Sequence, residues 1–168
     1  KEEKFLLPPK SYNNDRVKAY LQSRGVHFVI IDYLINKGYL YEEKKYHNAV
    51  FIGFDKEGEA KYALMRGTSG VRFFGEVPSS DKHFSFSLPS LDNSNELHIF
   101  ESAIDLLSFA TIELYEGRPP YKNAMLSLAG VHLQKDDGSV PTVPMALSQY
   151  LKDHSEIKSI KLHLDNDK

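Results

Sequence analysis

The stretch 97–117, LHIFESAIDLLSFATIELYEG, indicates the fold of the second half of the chain. Its first five residues form a short apolar run that is typical of a buried strand and ends on Glu101. The residues that follow place apolar side chains at helical spacing as far as Gly117, which ends the helix. A buried strand that leads directly into a helix is typical of the first half of a β-α-β unit.

The same alternation continues to the end of the sequence. AMLSLAG at 124–130 is typical of a second strand, a helix follows Pro144, and KSIKLHLDND at 158–167 is typical of a third strand. From residue 96 onward the predicted order is therefore β-α-β-α-β, which favours a mostly parallel sheet covered by helices. We assign residues 91–168 to this α/β unit.

Residues 1–90 have a different pattern and are predicted to form an α+β unit with two helices and a small antiparallel sheet. An extended N-terminal arm comes first, since Pro8 and Pro9 resist helix formation. One helix is predicted within 13–25, with Asn14 or Asp15 as its N-cap, and a second within 27–38.

The rest of this first unit has strand signals. Aromatic and β-branched residues on both sides of the turn KEGE at 56–59 predict a hairpin. VRFFGEV at 71–77 and HFSFSL at 83–88 are interpreted as two more short strands. Residues 40–88 are thus expected to form one antiparallel region.

Composition limits the class of function. The 168 residues are 41% hydrophobic and 26% charged, with a formal net charge of -2. A nucleic-acid site would therefore depend on a local basic patch or on metal ions. The absence of cysteine excludes disulfides and cysteine-based zinc sites and is consistent with a reducing cytoplasm. No apolar run approaches the roughly 20 residues of a membrane span.

Acidic residues follow the strands of the predicted parallel sheet. Glu101 ends the first strand, Asp105 lies one helical turn later, and Asp165 and Asp167 end the third strand. Because functional groups gather at the carboxyl ends of parallel strands, these acids are expected to converge at one rim. Such a cluster suits Mg²⁺ or Mn²⁺. We predict Asp165, Asp167 and Asp105 as metal ligands and Glu101 as a catalytic general acid or base.

Each acid also has an ordinary structural interpretation when taken alone. An Asp-x-Asp pair is common in turns, and Glu101 suits the start of a helix, where the macrodipole favours negative charge. The joint placement at strand ends favours the metal site.

Three segments resemble the Toprim domain of DNA primases, topoisomerases and related nucleases. They are LHIFESAIDLLSFATI at 97–112, AMLSLAGV at 124–131 and IKLHLDNDK at 160–168. The resemblance places the family's motif residues on Glu101, Asp105, Gly130, Asp165 and Asp167. It implies magnesium-dependent phosphoryl transfer on nucleic acid.

Two departures from the Toprim pattern stand out. Ser102 occupies the position after the first glutamate, where the family usually has glycine. The sequence stops one residue after Asp167, whereas the family continues with a helix and a further strand. We therefore expect this chain to be truncated at its C-terminus, with an incomplete Toprim sheet.

The first half resembles, more weakly, the region that precedes Toprim in bacterial primases. AYLQSRG at 19–25 and AVFIGFDKEGEAKYALMRG at 49–67 carry this likeness. The combination is similar to mobile-element proteins that pair an uncharacterised N-terminal domain with Toprim and often have an upstream zinc-binding segment. In the resemblance, Arg66 matches an arginine that faces template or nucleotide.

Basic and aromatic residues of the first unit have two interpretations. Arg66, Arg72 and Lys82, with His83 nearby, are predicted to contact a nucleic-acid backbone or a nucleotide, or are solvated side chains of a hairpin. The alternating phenylalanines are interpreted as core rather than stacking platforms; they are Phe73, Phe74, Phe84 and Phe86. His98 and His163 lack zinc-ligand spacing and are interpreted as packing residues.

These observations predict a DNA primase-like nucleotidyltransferase that synthesises primers in plasmid or mobile-element replication. The expected partners are single-stranded DNA template and nucleotides, together with a relaxase, helicase or other replication protein, and no membrane. Two alternatives stay open: a non-catalytic nucleic-acid-binding module, and a nuclease of the Toprim type.

Overall fold

The computed structural model describes residues 3–70, 72–128 and 143–165. Within these ranges, no helix combines the length and the apolar character needed to cross a membrane. The helices are α1 (Asp15–Ser23), α2 (Phe28–Lys37), α3 (Ala103–Tyr115) and α4 (Met145–Asp153), with a short 3-10 helix at Lys82–Phe84. The strands are β1 (Leu40–Glu42), β2 (Ala49–Phe54), β3 (Ala60–Arg66), β4 (Phe74–Glu76), β5 (Ser87–Leu88), β6 (Glu96–Phe100), β7 (Ala124–Ser127) and β8 (Ser159–His163).

The first sheet is antiparallel, with the strand order β1-β2-β3-β4. Its central pair is the hairpin predicted around residues 56–59, which the pairing of β2 with β3 confirms. Asp55 closes the turn, because its side chain accepts the backbone N–H groups of Glu57 and Glu59 at 3.0 and 2.9 Å. Helices α1 and α2 pack on one face of this sheet.

A buried carboxylate from β1 caps helix α1. Glu42 is 1% exposed, and its Oε2 accepts the N–H groups of Arg16 and Val17 at 3.0 and 3.2 Å. Asn14 occupies the N-cap position but makes no capping bond to α1; its Oδ1 accepts the Glu42 N–H instead. The predicted N-cap position of Asn14 is confirmed, but a residue distant in sequence, Glu42, supplies the side chain that satisfies the helix donors.

The second sheet has the strand order β5-β7-β6-β8. Strand β6 pairs in parallel with both β7 and β8, and α3 and α4 lie between these strands in the sequence. This arrangement confirms the β-α-β-α-β order predicted from residue 96 onward. The sheet is mixed rather than wholly parallel, because the edge strand β5 runs antiparallel to β7.

The segment 83–88 differs from its prediction. Lys82–Phe84 form a 3-10 helix, which begins where the Asp81 side chain accepts the His83 N–H at 3.0 Å. Only Ser87–Leu88 are a strand, and that strand belongs to the second sheet rather than to the antiparallel region of the first. The division of the chain at residues 90 and 91 stays a prediction.

One hydrophobic core joins the two sheets. Phe51 of β2 and Phe86, next to β5, are almost fully buried, and their rings meet edge to face at 5.3 Å. The same core includes Leu34 of α2 and Leu107 of α3, so both helices also contribute to it. The outer face of the second sheet packs on α4 in a separate cluster. The two sheets are thus stabilised together rather than independently.

Candidate active site

Parallel pairing of β6 with β8 brings two predicted acids to one edge of the second sheet. Phe100, the last residue of β6, lies opposite His163, the last residue of β8. Just beyond this pair, the backbone N–H of Asp165 donates a hydrogen bond of 2.9 Å to Oε1 of Glu101. We name this edge the strand-end rim.

The hydrogen bond to Asp165 occupies one oxygen of Glu101. In the part of the chain that the structure describes, Oε2 of Glu101 has no hydrogen-bond partner. Glu101 is half-buried, whereas Asp165 is exposed. The rim therefore presents carboxylate oxygens to solvent, and one of them belongs to a side chain that the backbone after β8 holds in place.

Asp105 lies in the first turn of α3 and is engaged with Ser102. Ser102 is the N-cap: its Oγ accepts the Asp105 N–H at 3.2 Å and donates to Asp105 Oδ2 at 2.7 Å. A serine replaces the glycine expected from the Toprim pattern at this point, and the structure gives it a capping role. Asp105 is exposed beside the rim, with one oxygen tied to this cap.

Part of the predicted metal site falls outside the described residues, since Asp167 and Gly130 both lie there. Among the residues that are described, no group of three or more histidine, aspartate or glutamate side chains could hold a metal ion. The rim acids supply hard oxygen donors, which fit Mg²⁺ or Mn²⁺ rather than a soft metal. The roles of Glu101, Asp105, Asp165 and Asp167 stay predictions.

A histidine pair lies in the layer beneath the rim. His98 Nδ1 and His163 Nε2 are 2.8 Å apart, and His98 Nε2 is 2.6 Å from Oε1 of Glu96. The His163 ring stacks on Phe100 at 4.7 Å. Burial, together with the neighbouring His98, lowers the pKa of His163 below its usual range, and the hydrogen bond from His98 lowers the pKa of Glu96.

Sequence reasoning treated His98 and His163 separately and missed their contact. The signal was available in principle, because both residues lie on the same face of strands that the β-α-β-α-β order makes parallel. The interpretation of both residues as packing histidines agrees with the buried position of His98 and with the stacking of His163.

The predicted basic residues do not all lie together. Arg66 and Arg72 line a cleft of about 670 Å³ at the edge of the first sheet, which Arg24 also lines. Lys82 does not line this cleft; its Nζ lies 3.8 Å from Oε2 of Glu76. His83 is 2.7 Å from Asp81 through Nδ1. We name the first group the arginine cleft, lined by Tyr20, Arg24, Arg66, Arg72, Phe73 and Phe74.

The four phenylalanines that were interpreted as core divide into two groups. Phe86 is almost fully buried, and Phe84 packs partly buried against the shared core. Phe73 and Phe74 are 44% and 52% exposed and line the arginine cleft. The core interpretation is thus wrong for Phe73 and Phe74, which lie at the start of β4, the edge strand of its sheet.

Comparison with known proteins gives one family and one fold likeness. Residues 19–92 match the model of a family described as "Protein of unknown function (DUF3991)". This match begins within α1, covers α2, the first sheet and β5, and ends before β6 begins. It spans less than half of the chain. No curated protein matches the sequence.

The fold is similar to that of the primase fragment of the bacteriophage T7 primase-helicase protein. The TM-score is 0.56 and the sequence identity is 15%, over 98% of this chain. The chain spans 62% of the length of that structure. At this identity the likeness concerns the fold alone, so what can be stated is a mixed α+β fold similar to that of a primase fragment.

Proposed function

We propose that this protein carries out Mg²⁺-dependent phosphoryl transfer on nucleic acid and synthesises primers in mobile-element or plasmid replication. The observation that carries the proposal is the hydrogen bond between Glu101 and the Asp165 backbone, since it joins the ends of β6 and β8. The likeness to a primase fragment, which extends over both sheets, supports it.

Each rim residue has a role in this proposal. Asp165 and Asp167 would hold the cation, with Asp105 assisting directly or through water. A divalent ion bound there supplies charge that stabilises the oxygens of the transferred phosphoryl group. Glu101 takes the proton from the attacking hydroxyl through Oε2, the oxygen that the Asp165 N–H leaves free. The new bond forms between that hydroxyl oxygen and the α-phosphorus of a nucleoside triphosphate, the bond from that phosphorus to the β-phosphate oxygen breaks, and pyrophosphate leaves.

A nuclease is the alternative that uses the same rim, with water in place of the hydroxyl. A non-catalytic nucleic-acid-binding module that assists a relaxase or replication protein is the second alternative. The arginine cleft favours this second alternative, because it offers positive charge without needing the rim acids.

The test is an assay of the full-length protein with single-stranded template, ribo- and deoxynucleotides and Mg²⁺. We expect short new products rather than cleaved template. Asp165→Asn should lower their formation by at least about 100-fold, since loss of a metal-site group typically has effects of this order. The matched control is Asp92→Asn, which changes an exposed loop acid.

Each outcome of the assay has a stated meaning. Cleaved template that also depends on Asp165 would replace primer synthesis by the nuclease alternative. Full activity in Asp165→Asn would contradict the role of the rim. Binding of template in EDTA without any turnover would favour the binding module.

A further inference from the structure

The arginine cleft combines positive charge with exposed aromatic surface. No acidic side chain lines it, and in the described part of the chain Arg24, Arg66 and Arg72 form no ion pair with a carboxylate. Its volume of about 670 Å³ lies within the range of small-ligand sites. Three guanidinium groups in one cleft, none with a carboxylate partner among the described residues, point to an anionic ligand, such as a phosphodiester backbone.

Two observations show that the cleft is held in shape. The Nε of Arg66 donates to the Tyr20 hydroxyl at 2.8 Å, so α1 orients this guanidinium. The turn after β3 is closed by a bond of 2.8 Å from the Gly67 N–H to the Phe73 carbonyl, and Thr68 anchors it to the His47 carbonyl at 2.8 Å. A ligand would thus meet a largely formed site.

Phe74 gives the cleft its second chemical feature. It pairs in register with Arg66 across β3 and β4, so both side chains project from the same face of the sheet. The Phe74 side chain is 52% exposed, and no cationic side chain among the described residues stacks on its ring. An open aromatic face beside guanidinium groups is the arrangement that stacks an unpaired base and holds its phosphates.

We propose that the arginine cleft binds single-stranded nucleic acid by stacking one unpaired base on Phe74 while Arg24 and Arg72 contact the flanking phosphates. The inference rests on the proposed function only in taking nucleic acid as the ligand. A duplex would not satisfy the site, because its bases are stacked on each other and are not available to the ring.

The test measures the anisotropy of a fluorescein-labelled ten-residue oligothymidylate in EDTA. A second labelled strand has the same phosphates with every base removed. The whole protein should bind the oligothymidylate at least about fivefold more tightly than the abasic strand, as expected for stacking of one base. Phe74→Leu, which keeps apolar volume but not the aromatic face, should abolish this preference, and Phe74→Tyr should retain it.

Further arms of the experiment separate charge from stacking. Arg24→Gln and Arg72→Gln should each lower the affinity for both strands. Each should also reduce the slope of log affinity against log salt by about 0.7. Equal binding of both strands by the unaltered protein, or an unchanged preference in Phe74→Leu, would overturn the proposal. So would binding of a nucleoside triphosphate that requires Phe74 when the oligothymidylate does not bind.

The same assay is independent of the rim. EDTA removes the divalent ion that the rim would need, and the control Asp92→Asn, at an exposed loop acid, should bind both strands as the unaltered protein does. If the base preference is found but no metal-dependent turnover occurs, the proposed enzymatic function fails and the cleft proposal stands. If turnover occurs without the base preference, the cleft proposal fails and the proposed enzymatic function stands.

Discussion

The strand-end rim and the arginine cleft hold their charged side chains in different ways. At the rim, Glu101 and Asp105 are tied to neighbouring groups, Glu101 to the Asp165 backbone and Asp105 to Ser102. In the cleft, Arg66 has a neutral partner in Tyr20, and Arg24 and Arg72 have no carboxylate partner in the described part of the chain. The comparison shows that the rim acids have partners within the chain, whereas Arg24 and Arg72 have no carboxylate partner in the described residues.

The two regions also depend on different elements. The rim depends on the parallel pairing of β6 with β8, whereas the cleft depends on α1 and on the edge of the antiparallel sheet. They are connected through the core that both sheets share. Substitutions can therefore test whether the two regions respond together or separately.

The largest effect is expected from a substitution in the shared core. Phe86→Ala removes a ring that is 1% exposed and contacts Phe51 of the other sheet. We expect the free energy of unfolding to fall by about 3–5 kcal/mol, because the cavity lies between the two sheets. Chemical denaturation followed by circular dichroism measures this loss, and Phe86→Leu, which retains most of the apolar volume, is the control.

The same variant tests whether the two regions are connected. Its denaturation should remain a single transition, and binding in the cleft and turnover at the rim should decline together as the protein unfolds. Two separate transitions, with one region retained after the other has unfolded, would contradict the shared core.

A smaller effect, confined to the rim, is expected from Ser102→Ala. This change removes the group that accepts the Asp105 N–H and donates to Asp105 Oδ2. We expect the free energy of unfolding to fall by about 1 kcal/mol, which is typical for loss of an N-cap. Ser155→Ala, at an exposed position in a turn, is the control.

Ser102→Ala should leave the cleft unaffected. Affinity for the oligothymidylate in EDTA is expected to equal that of the unaltered protein, since none of the residues that line the cleft belongs to α3. A loss of affinity for the oligothymidylate in the folded Ser102→Ala variant would show that the two regions are not separable.

The sequence predicted the rim better than the cleft, and the reason is physical. The order β-α-β-α-β, with the strong preference for right-handed crossovers, restricts which strand ends meet. The strand pattern alone therefore places Glu101 and Asp165 at one edge of the sheet, where their hydrogen bond is found. The predicted metal site also includes Asp167, which lies outside the described residues, so the roles of these acids remain predictions.

The cleft depends on contacts between residues that are distant in the sequence. Tyr20 reaches Arg66 across 46 positions, and Glu42 caps α1 from 25 or 26 positions away. Phe74 and Phe86 both lie in short aromatic segments, but Phe74 is exposed on an edge strand whereas Phe86 is buried. Local periodicity does not distinguish an edge strand from a covered one, so the exposure of Phe74 could not be predicted.

The smallest effect, confined to the cleft, is expected from Tyr20→Phe. The variant keeps the ring and removes only the hydroxyl that accepts a hydrogen bond from Arg66 Nε. Arg66 keeps its charge but loses its orientation, so affinity for the oligothymidylate should fall by about two- to fivefold. Tyr115→Phe, which alters a 72% exposed tyrosine of α3, is the control. Because the ring remains packed and the rim is untouched, the free energy of unfolding and the turnover at saturating template should not change. A fall in turnover with unchanged affinity would place Arg66 in the chemical step and remove the distinction between the two regions.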